Sequence, residues 1–139
     1  MPKPLLTFVD DIYEDLELWY PLLRLREEGK AVSVISAEAN KTYMSKLEYP
    51  VIADHGIDEV KGADFGAVLI VGGRSAKIIA EEPRMQRFIK EAAASGALLG
   101  ALSEGAAAFA AAGASAKLIA KSTDQLPEFC RSLFKALGK

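Results

Sequence analysis

Ser103, Glu104 and Gly105 sit where the apolar run ALLGAL (97–102) stops and the alanine-rich stretch EGAAAFAAAG (104–113) begins. A strand that breaks sharply into a helix exposes the side chain at the break, and a hydroxyl there can serve as a nucleophile if a base stands beside it. Two other apolar runs end in residues suited to the same chemistry. PLLTFV (4–9) is followed by the acidic segment from Asp10 to Glu17, and GAVLIV (66–71) by Gly72-Gly73-Arg74. Together they could supply a nucleophile at Ser103, a carboxylate from a neighbouring helix, and amides in a glycine turn that act as oxyanion donors. Each has a plainer reading. Ser103 could be a small residue tolerated in a strained turn, and Gly72 and Gly73 simple turn glycines. Glu14 and Glu104 could be acids that complement a helix dipole.

These residues need elements to position them. Alternating strand and helix signals run the length of the chain, which predicts βαβ units and a mostly parallel, doubly wound sheet in one domain over residues 1–139. Strands are expected at 4–9, 31–36, 66–73, 97–102 and 117–122, with two short β segments within 41–54. Helices are expected at 14–28, 82–96, 104–113 and over the final segment, where Asp124 is a candidate cap. Gly29, Gly96 and Gly113 stand where helices stop. In an open sheet of this kind, ligands bind beyond the carboxyl ends of the strands, where all three candidate segments lie.

The first helix carries two apolar stripes: Leu16/Trp19/Tyr20/Leu23, and Leu18/Leu22/Leu25. Both cannot face one sheet. An uncovered row of leucines marks an interface, so a homodimer through helix 14–28 is expected, by way of Leu18, Leu22 and Leu25. The alternative is cover within the chain, from the 41–54 segments or the last helix. Pro21 cannot donate to the Glu17 carbonyl, so a kink is expected there that aims Glu17 at the sheet end; otherwise Glu17 is an exposed acid at the helix start.

The formal charge of −2 comes from 17 basic and 19 acidic residues. They are interspersed, as in RLREEGK, which speaks against a nucleic-acid footprint. No apolar run has membrane length without a charge, and the N-terminus lacks a signal-peptide pattern. One cysteine gives no intramolecular disulfide, so a cytoplasmic setting is expected. One histidine and one cysteine do not make a four-ligand zinc site; neither metal nor cofactor is expected. Cys130 reads as a core residue of the last helix and His55 as a surface turn residue.

The stretches YEDLELWYPLLRLREEGKAVSVIS, EYPVIADHGIDEV, DFGAVLIVGGRSAK, SGALLGALSEGAAAFAAAG and DQLPEFCRSLF occur in an order that resembles the ThiJ/PfpI family of the class I glutamine amidotransferase-like superfamily. The resemblance implies a flavodoxin-like three-layer sandwich, usually dimeric, in a family of peptidases, glyoxalase- or deglycase-type enzymes, hydratases and stress-linked proteins. It also implies a cysteine at the elbow, with a helix glutamate beside it. Position by position, Ser103 stands for that cysteine, Gly105 for the elbow glycine, Glu17 for the glutamate, and Gly72-Gly73 for the oxyanion glycines. The chain departs from the pattern in two ways. The thiol is a hydroxyl with Glu104, not histidine, next to it, and the region between Gly113 and KLIAKS is shortened to ASA. The expectation is therefore a degenerate member, a small-molecule-binding or structural homodimer. The alternative is a hydrolase or lyase that uses Ser103, with Glu17 as base and Gly72-Gly73 as oxyanion donors.

Overall fold

The computed structural model describes residues 3–138. Its framework is a six-stranded parallel sheet. In chain order the strands are β1 (Leu5–Phe8), β2 (Val32–Ser36), the short edge strand β5 (His55–Gly56), β6 (Ala67–Ile70), β7 (Leu98–Leu102) and β8 (Leu118–Ala120), arranged β5-β2-β1-β6-β7-β8. A separate antiparallel hairpin of β3 (Thr42–Met44) and β4 (Pro50–Ile52) stands beside the sheet. β1 and β6 pair in register from Leu5–Ala67 to Phe8–Ile70, and every residue of both is buried. Their unbroken apolar runs follow from that, because a central parallel strand has helices on both faces.

Helices α1 (Asp15–Glu27) and α5 (Leu126–Ala136) cover one face. α2 (Arg74–Ala80), α3 (Pro83–Ala94) and α4 (Gly105–Ala111) cover the other. The fold is the expected flavodoxin-like α/β sandwich. α1 has Asp15 in its first turn and Arg24 and Arg26 in its last, complementing the helix dipole at both ends. It stops at Gly29, whose φ of 80° suits glycine; there the Gly29 amide donates to Arg26 O and the Lys30 amide to Leu25 O.

The interface expectation for α1 is corrected by burial. Leu18, Leu22 and Leu25 are 1%, 2% and 0% exposed and pack with Tyr43, Val51 and Ala53 of the hairpin region and with Leu126, Phe129, Cys130 and Leu133 of α5. The cover is within the chain. Glu17, Leu18, Pro21, Leu22 and Leu25 share one helix face, so bringing Glu17 to the sheet end carries the three leucines inward with it. The outward residues are Leu16 and Leu23, 57% and 56% exposed.

Two further features differ from the sequence expectation. α2 is a helix that the sequence does not signal, because seven residues give too little periodicity to separate a helix from a loop. Asp124 does not cap α5. It lies in a single 3-10 turn over Thr123–Gln125, where it accepts from the Ser122 hydroxyl, while the Gln125 side chain accepts from the Lys121 amide at 2.6 Å.

Candidate functional site

β7 ends at Leu102, and the chain turns into α4 through Ser103, whose φ of 45° is uncommon for a residue with a Cβ. Two contacts fix this turn. The Ser103 amide donates to Ala120 O of β8 at 2.7 Å. Gly105 packs so closely on β6 that a Cβ there would lie 2.1 Å from Ile70 O. Gly105, expected among the binding residues, thus has a packing role: it lets α4 start directly over the end of β6.

Glu17 comes from the first turn of α1 and is 4% exposed. Its Oε1 accepts the Gly72 amide at 2.9 Å and lies 2.9 Å from Ser103 Oγ. From the other side, Glu104 Oε1 accepts the Gly73 amide at 2.8 Å and lies 2.6 Å from the same Oγ. A methyl group on Gly72 would fall 1.9 Å from Ser103 Oγ, 2.5 Å from Glu104 Oε1 and 2.6 Å from Glu17 Oε1. The three oxygens close directly over the glycine.

Proton counting sets the charge state of this cluster. A hydroxyl has one proton to donate, yet Ser103 Oγ is within hydrogen-bond distance of two carboxyl groups. One of the two must supply a proton of its own. Burial pushes the Glu17 carboxyl above its ordinary range, against the pull of the Gly72 amide. The Gly73 amide, with the Ser103 hydroxyl, holds Glu104 below that range. The consistent arrangement has neutral Glu17 donating to Ser103 Oγ, and Ser103 donating to the Glu104 carboxylate. The 2.6 Å separation on the Glu104 side fits a charge-assisted O–H···O⁻ bond.

Glu14 lies at the start of α1, where its amide donates to Gly72 O at 3.3 Å and its carboxylate pairs with Lys46 at 3.4 Å. The structure therefore brings Ser103, Glu17, Glu104, Gly72 and Gly73 into one hydrogen-bonded cluster, with Glu14 beside it. It turns the Gly72 and Gly73 amides, the oxyanion donors of the alternative enzymatic reading, toward the chain's own carboxyl groups. His55 stays apart: it is on β5, with β2, β1 and β6 between it and β7. Cys130 is buried on α5, its thiol pushed up to about 11 by desolvation.

Several residues that shape the site escaped sequence reading. Lys46 arrives with the hairpin, which docks on the segment between β1 and α1. The Ile12 amide donates to Met44 O at 2.7 Å, the Lys46 amide to Tyr13 O at 2.8 Å, and the Ser45 hydroxyl to Asp15 at 2.5 Å. Tyr13 is fully buried and ties Trp19 to the hairpin, accepting from the indole N–H at 3.1 Å and donating to Tyr49 O at 2.8 Å. Ile12 has a φ of 61°, strained for a β-branched residue, and its carbonyl accepts the Ser75 amide at 3.4 Å. Behind them the Ser75 hydroxyl accepts the Asp10 amide at 2.7 Å. Single residues in short irregular segments give no periodic signal, so these links are visible only in three dimensions.

A parallel sheet in this strand order, with helices on both faces, defines a flavodoxin-like α/β protein, in which a positive-φ elbow follows β7 and a buried glutamate from α1 stands beside it. Comparison with known proteins agrees: the family model described as DJ-1/PfpI family matches residues 3–118. The chain belongs to the DJ-1/PfpI family. It is 34% identical over 97 residues to protein/nucleic acid deglycase 2 of Escherichia coli, covering 69% of this chain and 56% of that protein. It is 44% identical over 69 residues to a deglycase of Thermococcus kodakarensis, covering 50% of this chain and 41% of that protein. The chain thus spans about half the length of these curated relatives. Among solved structures, Drosophila melanogaster DJ-1beta superposes with a TM-score of 0.90 at 16% identity, over 100% of this chain and 92% of that one; at that identity the likeness concerns the fold. Among the described residues, no helix is long and apolar enough to cross a membrane.

Proposed function

We propose that this chain is a DJ-1/PfpI-family protein that has given up nucleophilic turnover and works by binding a small molecule at the elbow, as a homodimer. The observation that carries the reading is the Ser103 hydroxyl held between Glu17 and Glu104. A serine needs a general base to become a nucleophile. Of its two neighbours, Glu17 is the neutral one and donates to Oγ, while Glu104 is a carboxylate held below the ordinary range and hence a weak base. The Gly72 and Gly73 amides, which would stabilise an oxyanion, are already bonded to carboxyl groups. Self-association would use the exposed Leu16 and Leu23 side of α1, since the other leucine stripe is core.

The second reading is a serine-dependent hydrolase or lyase, close in chemistry to the deglycases named above. One observation favours it: Ser103 Oγ and Glu17 Oε1 are within hydrogen-bond reach at 2.9 Å. The two readings separate in an activity panel of wild type, Ser103→Ala and Ser103→Cys, assayed on a methylglyoxal-modified peptide and on a fluorogenic peptide. Binding without turnover predicts equal rates for wild type and Ser103→Ala on both substrates. A wild-type rate about tenfold or more above Ser103→Ala establishes the enzyme instead.

A further inference from the structure

The Glu104 side chain does what a ligand would do. It is exposed, its carboxylate makes no cap bond to α4, and it reaches back over the elbow to the Gly73 amide at 2.8 Å and to Ser103 Oγ at 2.6 Å. A backbone amide and a hydroxyl converging on one carboxylate oxygen make a receptor for a carboxylate. Lys46 stands close enough to stabilise charge on Glu104, although its ammonium pairs with Glu14. Glu17 does not oppose an anion here, because it is the neutral member of the cluster. Gly72 leaves the space above it free of any side chain of its own, and three oxygens fill that space.

We propose that the Gly73 amide and the Ser103 hydroxyl form a binding site for the carboxylate of a small organic acid, and that Glu104 fills this site from within the chain until its side chain swings out to solvent. This rests on the reading of the elbow as a binding site and names its ligand class. The tethered carboxylate competes with free acids at a high effective concentration. The resting protein therefore ignores dilute monocarboxylates, and only a ligand with further contacts displaces Glu104. Because Glu104 is exposed and outside the core, removing its side chain should leave the fold intact.

The test compares acetate binding by wild type and Glu104→Ala, followed through the ¹H and ¹⁵N shifts of the Gly73 amide, with chloride at matched ionic strength as control. Glu104→Ala should show a saturable shift of the Gly73 resonance, with acetate affinity at least about tenfold above wild type. Ser103→Ala in the Glu104→Ala background should weaken that binding. Equal titrations in wild type and Glu104→Ala overturn the proposal, as does a Glu104→Ala response that never saturates or is matched by chloride. Turnover plays no part in this readout. A serine-dependent activity in the panel above would refute the loss of turnover and leave the acetate result standing, whereas failed acetate binding would leave the turnover result untouched.

Discussion

Gly72→Ala tests how tightly the elbow is closed. The nearest atom to the new methyl would be Ser103 Oγ at 1.9 Å, with Glu104 Oε1 at 2.5 Å and Glu17 Oε1 at 2.6 Å. All three must move. Glu104 is exposed and can swing away at little cost. Ser103 can turn only about one bond, and Glu17 is 4% exposed with no solvent to retreat into. Overpacking of this kind costs about 1–3 kcal/mol, and parting the Gly72 amide from Glu17 leaves a buried donor unsatisfied at about 1–3 kcal/mol more. The total of roughly 2–6 kcal/mol is a large share of the ~5–15 kcal/mol that stabilises a domain. At about 3 °C per kcal/mol for a chain of this size, Tm should fall by roughly 6–18 °C. Thermal denaturation followed by circular dichroism measures this directly. In a double-mutant cycle, adding Ser103→Ala removes the worst overlap, so the double variant should be more stable than the sum of the two single effects. A Gly72→Ala protein that melts within about 2 °C of wild type would refute the closed cluster, as would strictly additive losses.

Glu17→Gln should flatten the pH dependence of stability. A carboxyl raised in the folded state favours folding most below its unfolded pKa, and that contribution is lost as pH rises through the folded value; the difference in urea-unfolding stability between Glu17→Gln and wild type should therefore grow in favour of the variant as pH rises above the ordinary glutamate range. Asp10 is also raised by burial and is common to both proteins, so it cancels in the difference. Leu22→Asp should unfold the chain and not merely dissociate a dimer, because Leu22 is buried within one chain; a folded, monomeric variant in sedimentation and circular dichroism would contradict the packing. Cys130 should resist iodoacetamide in the native protein and react once unfolded, its thiol being buried and pushed up to about 11; rapid native labelling by mass spectrometry would show α5 misplaced. In Ser103→Cys the ionised Glu104 should keep the thiol pKa at or above the free value, and adding Glu104→Ala should lower it. An equal pKa in both variants would remove Glu104 from the electrostatics of the elbow.

What could be read from the sequence divides along a physical line. Continuous apolar runs and glycine stops locate β1, β2, β6, β7 and β8 and the longer helices, because a strand buried on both faces or a helix terminus leaves its mark in consecutive residues. The choice between two apolar stripes on α1 was not local. Leu16/Trp19/Tyr20/Leu23 and Leu18/Leu22/Leu25 are equally periodic, and only the docking of Glu17 against Gly72 and of α5 against α1 decides which of them turns inward. α2 was lost for lack of length. At the site, Ser103, Glu17, Glu104, Gly72 and Gly73 were all legible as residues, but the destination of the glycine amides was not. Spacing shows that donors exist; it does not show that Glu17 and Glu104 have already claimed them.

The strain at Ser103 bears on what fixes the elbow. A residue with a Cβ in the left-handed region is held there by its surroundings, at a cost on the order of 1–3 kcal/mol. Here the surroundings are the bond from the Ser103 amide to Ala120 O and the contact of Gly105 with Ile70 O, both independent of the side chain at 103. The turn is therefore a property of how β6, β7, α4 and β8 meet, whatever small side chain stands at position 103. What the hydroxyl alters is the chemistry on top of it. A thiolate would repel a carboxylate at the position of Glu104, whereas a neutral hydroxyl donates to one. Ser103 and Glu104 thus form a matched pair: the hydroxyl makes the neighbouring carboxylate comfortable over the elbow, and the carboxylate, by taking the Gly73 amide, keeps the elbow closed.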